Sequence, residues 1–344
     1  VFATLGDGTP GGLTGVLHRW QTSPNGGWSV VQSWIPTLAG PIKRLSQTTL
    51  GTTFAWGAAG LFRSEDAGLT WTPLSTPAAP TVIAIDPSDA HTLFAAAGAH
   101  VHKTTDTGAT WTPVLPTGGL QVLAIAVSPA NRNVVFAARA QFSASFQVHR
   151  SLDGGATWTK IEGPTLGATC TFSVPILVPH PTNPARLLRT AGCYAGRDVL
   201  TGDSLDQSVD QGLTWSLRFH PKPLFPSRLV GGMGSQPGRW YLAAHAGAPP
   251  GGSKLFRTDD DGATWSAVLV SATGPALMGV AYEPWTPDQV FAALSNNVVK
   301  GSDDGGASWT DLSSGPTDLT DLLLTPGGQA LLAATSHGVW RIEL

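Results

Sequence analysis

Apolar and polar positions change along the chain in short runs separated by turn residues. Residues 122–161 show the unit clearly. Val122 to Val127 alternates as a strand, Ser128-Pro129-Ala130-Asn131 turns, and Val134 to Ala138 makes a second strand. Gln147 to Ser151 then reads as a third strand and Thr157 to Ile161 as a fourth. The same succession recurs along the chain. First strands begin near Pro41, Thr81, Gln121, Val174, Ser227, Leu277 and Leu319, and fourth strands begin at Trp28, Trp71, Trp111, Trp158, Trp215, Trp265 and Trp309.

Between third and fourth strands stands a repeated turn, Ser/Thr-x-Asp-x-Gly-x-Thr/Ser-Trp. Its six copies run from Ser64, Thr104, Ser151, Ser208, Thr258 and Ser302, and Ser23-Pro24-Asn25-Gly26-Gly27-Trp28 is a shortened seventh. Asp can fold its carboxylate onto the following backbone N–H groups, and Gly two positions later can take a positive φ. Asp66, Asp106, Asp153, Asp210, Asp260 and Asp304 therefore read as turn staples, because an active site is needed once and a staple in every unit. A 40-to-57-residue spacing of four-stranded units, turn-rich throughout, predicts an all-β fold: a single β-propeller over residues 1–344. Seven blades are expected, closed by N- and C-terminal strands, with the strand at Trp28 completing the last blade and one hairpin left over. Eight blades with incomplete first and last members is the alternative.

Composition narrows the function. Gly 41 and Pro 27 together make about a fifth of the 344 residues, and charged residues are only 12%. Hydrophobic residues at 42% are too many for disorder, and no apolar run reaches the roughly 20 residues of a membrane-spanning helix. A net charge of -3 offers no basic stripe, so nucleic acid is not an expected partner. Cys170 and Cys193 can form one bridge or remain two thiols. The chain starts at Val1, which suits a processed secreted or extracytoplasmic protein and equally a sequence trimmed at its start; a monomer is expected.

The connections from strand two to three and from strand four to the next blade share the face opposite the repeated turns. There the segments Arg139 to Gln147, Glu162 to Pro175, Thr190 to Asp206, Phe219 to Arg228 and Ala244 to Lys254 read as long insertions, which a purely structural repeat does not need. They gather Phe142, Phe146, Phe172, Tyr194, Arg197, Asp198, Asp203, His220, Lys222 and Arg228, with Trp34 and His245 on the same rim. Aromatic faces suit sugar rings, while Arg and Lys suit carboxylates or phosphates. Arg197, Arg228, Lys222, Phe142, Phe146, Phe172, Trp34 and His245 are accordingly the candidate ligand-binding residues. Asp198 with Asp203 or Asp206 is the unrepeated acidic cluster a glycosidase would use, and Tyr194 or His220 could act as acid or base in a lyase. His100 and His102 share a strand face without a nameable third ligand, so neither a metal nor a cofactor is expected.

The repeated turn resembles that of the Asp-box, or BNR-repeat, β-propellers, which include sialidases, sortilin-type receptors, xyloglucan-degrading enzymes and photosystem II assembly factors. The resemblance covers nearly the whole chain and implies fold far more than function. A sialidase would require a Phe/Tyr-Arg-Ile-Pro sequence, which does not occur here, and the xyloglucanases place their two catalytic Asp residues between two propellers, where this length provides one. Two classes remain. One is a binding module for a glycan, polymer or protein on the long-loop face; the alternative is a glycoside hydrolase or polysaccharide lyase on that face.

Overall fold

The computed structural model describes residues 2–4, 17–22, 28–30, 35–141, 145–161, 176–191, 204–221, 224–231, 235–246, 252–271, 274–283, 286 and 288–344. Among them stand seven four-stranded antiparallel sheets, the blades of a seven-bladed β-propeller. The chain divides into two compact units, residues 47–50 with 74–277, and residues 1–46 with 51–73 and 278–344.

The first unit holds four blades in sequence. They are β9 to β12 (Val82–Asp86, Asp89–Ala97, His100–Thr104, Thr112–Pro116) and β13 to β16 (Gln121–Val127, Val135–Gln141, Ser145–Ser151, Thr159–Ile161), followed by two more. These are β17 to β20 (Leu177–Pro179, Leu187–Ala191, Ser204–Ser208, Ser216–Phe219) and β21 to β24 (Phe225–Gly231, Trp240–His245, Ser253–Thr258, Ser266–Ser271). The second unit holds β5 to β8 (Arg44–Gln47, Thr53–Gly57, Gly60–Ser64, Thr72–Leu74) and β25 to β28 (Leu277–Tyr282, Val290–Leu294, Val298–Ser302, Thr310–Ser314). Its third blade joins β29, β30 and β31 (Leu319–Leu324, Ala330–Thr335, Gly338–Glu343) to β4 (Ile35–Ala39).

That last blade corrects one expectation. Its outer strand is β4, paired Val339 to Leu38 and Trp340 to Pro36, and not the strand at Trp28. Trp28–Val30 (β3) instead pairs with Leu17–Thr22 (β2), which pairs with Phe2–Thr4 (β1), in a separate three-stranded sheet. The hairpin left over in the sequence is this sheet.

Second strands are apolar at consecutive positions because both of their faces are covered. Leu93-Phe94-Ala95-Ala96-Ala97 and Ala330-Leu331-Leu332-Ala333-Ala334 are buried throughout. Phe94 and Ala96 of one blade pack with Val122, Ile125, Val135 and Ala137 of the next, so the core is a series of layers between blades. Fourth strands are largely exposed, as Thr112-Pro113 and Ser216-Leu217-Arg218 show.

The repeated turns fix the third-to-fourth connection with one hydrogen-bond set. In the copy at Thr104, Asp106 Oδ1 accepts from Thr104 Oγ1 at 2.7 Å and from the Thr110 amide at 2.9 Å, while Oδ2 accepts from Thr110 Oγ1 at 2.6 Å. Gly108 N donates to Thr104 Oγ1 at 2.9 Å. The same bonds recur around Asp66, Asp153, Asp210, Asp260 and Asp304. Two residues, and not the glycine alone, take positive φ: Thr107 at 59° precedes Gly108 at 87°. The first of them anchors the turn, since Thr107 N donates to the His91 carbonyl at 3.0 Å. The tryptophan closes it, as when Trp158 Nε1 donates to Gly155 O at 3.0 Å.

Candidate functional site

Third and fourth strands are joined at the repeated turns, so antiparallel topology puts the two-to-three and four-to-one connections on the opposite rim, as the sequence predicts. One of the expected insertions proves to be mostly strand. β14 runs to Gln141 and β15 starts at Ser145, which leaves three residues, 142–144, where a loop from Arg139 to Gln147 was expected. The expected Ala244 to Lys254 insertion is only shortened at its ends, since β22 extends to His245 and β23 begins at Ser253. Antiparallel pairing rather than looping uses these residues.

Of the candidate residues, Phe142, Phe172, Tyr194, Arg197, Asp198, Asp203, Lys222 and Trp34 lie outside the described residues, as do Cys170 and Cys193. Phe146 falls in β15, opposite Ala140, and nothing is described of its side chain. Three candidates are placed. His220 follows β20 and is half-buried, and Arg228, also half-buried, pairs with Ala243 just after a bulge in β21. His245 closes β22 with its Nδ1 2.9 Å from the Ala246 carbonyl oxygen. Ala243 and His245 share a face of β22 and Arg228 lies opposite Ala243, so Arg228 and His245 project from the same face of this sheet.

Asp206 departs from the acidic-cluster reading. It lies inside β19 opposite Arg189 on β18, both buried, with Arg189 Nη2 at 3.6 Å from Asp206 Oδ2. Burial raises its carboxyl to about 6 despite the arginine, and burial likewise lowers Arg189 to about 10. Arg189 in turn covers the Trp215 ring, its Cζ 3.8 Å from the ring centroid. The corresponding positions in the other blades are mostly small and aromatic, Ala55 with Phe62, Ala137 with His149 and Ala333 with Trp340, and Leu242 with Phe256 fills the same place in β22 and β23. The Arg189–Asp206 pair therefore occupies a core position and serves packing.

One blade earlier, Arg139 at the rim end of β14 is buried. It donates through Nη1 to the Pro116 carbonyl at 2.6 Å, and its Nη2 lies 2.6 Å from His149 Nε2. Burial, then the charges of Arg139 and Lys160, pull His149 down to about 4, so at neutral pH it is the acceptor of this bond. His100 and His102 stand edge to face at 5.9 Å between centroids. Among the described residues no group of three His, Cys, Asp or Glu is placed to hold a metal ion. Trp56 is buried, with Lys43 Nζ 5.6 Å from its ring centroid.

The sequence reading overlooked a cleft of about 430 Å³ in the blade that β4 completes, lined by Pro36, Thr37, Leu38, Ala39, Thr317, His337 and Trp340. His337 sits in the two-to-three turn of this blade and Thr317 in a four-to-one connection, so both walls come from the rim opposite the repeated turns. Local sequence gave one usable signal, an aromatic residue on a third strand, but the strand that makes the other wall is about 300 residues away.

No family model matches the chain, and no curated protein matches it in sequence. Solved structures do. The chain is 20% identical to the GH74 enzyme of Niastella koreensis, with a TM-score of 0.67 over 89% of this chain and 53% of that one. It is 21% identical to the GH74 xyloglucanase of Xanthomonas campestris, with a TM-score of 0.68 over 90% and 53%. This chain thus spans about half the length of those two enzymes. It is 14% identical to YCF48 bound to D1 peptide, with a TM-score of 0.62 over 91% of this chain and 96% of that one. At such identities the likeness is one of fold, and the chain is a seven-bladed β-propeller of the architecture those proteins share.

Proposed function

We propose that the chain is a non-catalytic module that binds a glycan through the rim formed by its two-to-three and four-to-one connections. The observation that carries this is how the described carboxylates are employed. Six staple the repeated turns, Asp206 pairs with Arg189 in the core, and Asp321 accepts from the Leu45 amide at 3.0 Å. In the first unit the described two-to-three and four-to-one connections offer Arg228, His220 and His245; in the second they offer the Trp340 cleft and one exposed carboxylate, Asp318, which accepts from Ser336 Oγ. Among the described residues this supports recognition, since no pair of carboxylates of the kind a glycoside hydrolase uses stands there. The fold shared with a xyloglucanase supports a glycan as the ligand, and the six turns support a place among the Asp-box propellers. A monomer in an extracytoplasmic setting accompanies this reading, because a polymeric glycan does not cross a membrane.

The test is retention of the purified chain on a panel of immobilised polysaccharides, beside the Arg228→Ala and His245→Ala variants, with reducing ends and unsaturated uronates followed in solution. Retention on one glycan, weakened at least about tenfold by either substitution and unaccompanied by product, is expected. Product formation abolished by Asp198→Ala would overturn the non-catalytic reading in favour of a hydrolase or lyase.

A further inference from the structure

The cleft beside Trp340 has a composition unlike the rest of the rim. Four of its seven described lining residues, Pro36 to Ala39, belong to the outer strand β4, beyond whose edge no further strand stands among the described residues. Pro36 stands opposite Trp340 just past a register shift between Val339 and Trp340, where a residue without an N–H is tolerated. Trp340 is half-buried, packed on one side against the layer of Leu322, Leu331 and Ala333 and contributing to the cleft on the other. The result is an indole and a proline ring side by side on one face of the ladder.

The polar groups are hydroxyls and one imidazole. Thr37 Oγ1 accepts from Trp71 Nε1 at 3.1 Å and donates to Val339 O at 3.5 Å, so this hydroxyl is engaged within the protein. Thr317 and His337 are exposed. Behind His337, Ser336 Oγ lies 3.1 Å from His337 Nδ1 and donates to Asp318 Oδ2 at 3.1 Å, so the ring is oriented by a serine and a carboxylate outside the cleft. No lysine or arginine is among the described lining residues. A phosphate, sulfate or uronate would find no guanidinium or ammonium here, and a purely apolar ligand would strand the Thr317 hydroxyl.

We propose that this cleft is a subsite for a neutral pyranose unit of a glycan, with an apolar sugar face against Trp340 and Pro36 and the ring hydroxyls on Thr317 and His337. The volume suits one or two sugar units, at the lower end of ligand pockets of about 300–1,000 Å³. The inference rests on the glycan-binding reading above but concerns a different blade from Arg228 and His245. It makes His337 and Thr317 determinants of neutral over acidic sugars.

The experiment is a titration of the full chain, with ¹⁵N-labelled tryptophan, by neutral gluco-, manno- and xylo-oligosaccharides and by oligogalacturonate, following the indole N–H resonances. Trp340→Phe assigns the Trp340 signal while keeping a ring in the core. The expected result is a shift of that signal by one neutral series, with a dissociation constant of about 0.1–5 mM, and little response to oligogalacturonate. His337→Ala and Thr317→Val, both at exposed positions, should weaken binding about threefold or more while the melting temperature stays unchanged. Absence of any Trp340 shift up to about 20 mM, an equal response to the uronate, or full affinity in both variants would overturn the subsite. Polymer retention that is lost in Arg228→Ala but kept in Trp340→Phe, with no Trp340 shift, would sink the cleft and leave the broader reading standing; loss of all retention would sink the broader reading.

Discussion

The guanidinium carbon of Arg189 lies 3.8 Å from the centre of the Trp215 ring, and the same side chain faces Asp206 across the β18–β19 ladder. A cation, its counter-ion and an indole therefore fill a core position where the neighbouring blade places Leu242 opposite Phe256. Removing one charge strands the other, since a broken buried pair costs about 3–5 kcal/mol, whereas an apolar pair of matching volume is often neutral or stabilising by about 1–4 kcal/mol. Asp206→Ala should be strongly destabilising, and Arg189→Leu with Asp206→Phe should recover or exceed the parent stability. Denaturant unfolding of the three proteins decides it; a double variant as unstable as the single one would show that the pair has a role that packing cannot supply.

Gly155 illustrates how the repeated turns reach into the core. A Cβ there would come within 2.7 Å of the Phe94 ring of the preceding blade, and φ stands at +91°. Left-handed backbone and overpacking act together, each worth about 1–3 kcal/mol. Gly155→Ala is expected to lose about 2–4 kcal/mol of unfolding free energy, whereas Gly118→Ala, at φ +62° with nothing within 4 Å, should lose about 1–2 kcal/mol at most. Equal losses at both sites would mean that backbone strain, and not the Phe94 contact, sets the penalty.

The Arg139–His149 contact makes a prediction about mild acid. His149 is held near 4 when folded and titrates near 6.5 when unfolded, so between those values the unfolded chain binds more protons. Its contribution is complete above pH 6.5 and is lost as pH falls towards 4, up to about 3 kcal/mol. Melting temperature should fall across that window, and His149→Gln, which keeps an acceptor for Arg139, should flatten the fall. An unchanged slope in the variant would place the acid sensitivity elsewhere.

What the sequence revealed follows the reach of each signal. A Ser-x-Asp-x-Gly-x-Thr-Trp turn is complete within eight residues, so the six turns and the strands flanking them could be read locally. The outer strand of the last blade could not be. Trp28 carries the fourth-strand mark and Ile35–Ala39 carries none, yet Val339 pairs with Leu38, a choice made by residues about 300 apart. Asp206 misled for a related reason: next to Asp203 it looks like a loop carboxylate, and only the ladder partner Arg189 makes it a core residue. The Trp340 cleft was invisible because the β4 residues that line it are brought there only by that same long-range pairing. Face assignment succeeded, since alternation of connections follows from antiparallel order alone.

The turn carboxylates predict a second, more acidic transition. Asp106 and Asp260 are each lowered to about 2, foremost by the hydroxyls of Thr110 and Thr264, then by the amides of those residues. A carboxylate whose folded value lies below its unfolded one stabilises above about pH 4, and that contribution disappears as pH falls towards 2. Because all six turns share the hydrogen-bond set, their protonation should be cumulative, and unfolding should steepen below pH 4, separately from the loss between 6.5 and 4 tied to His149. Thr110→Val removes one donor to Asp106 and should lower the melting temperature at pH 7 while reducing the further drop between pH 4 and 2. If Thr110→Val instead leaves the low-pH slope intact, the Thr110 hydroxyl is not what holds Asp106 ionised, and the Thr104 hydroxyl with the backbone amides must carry the staple.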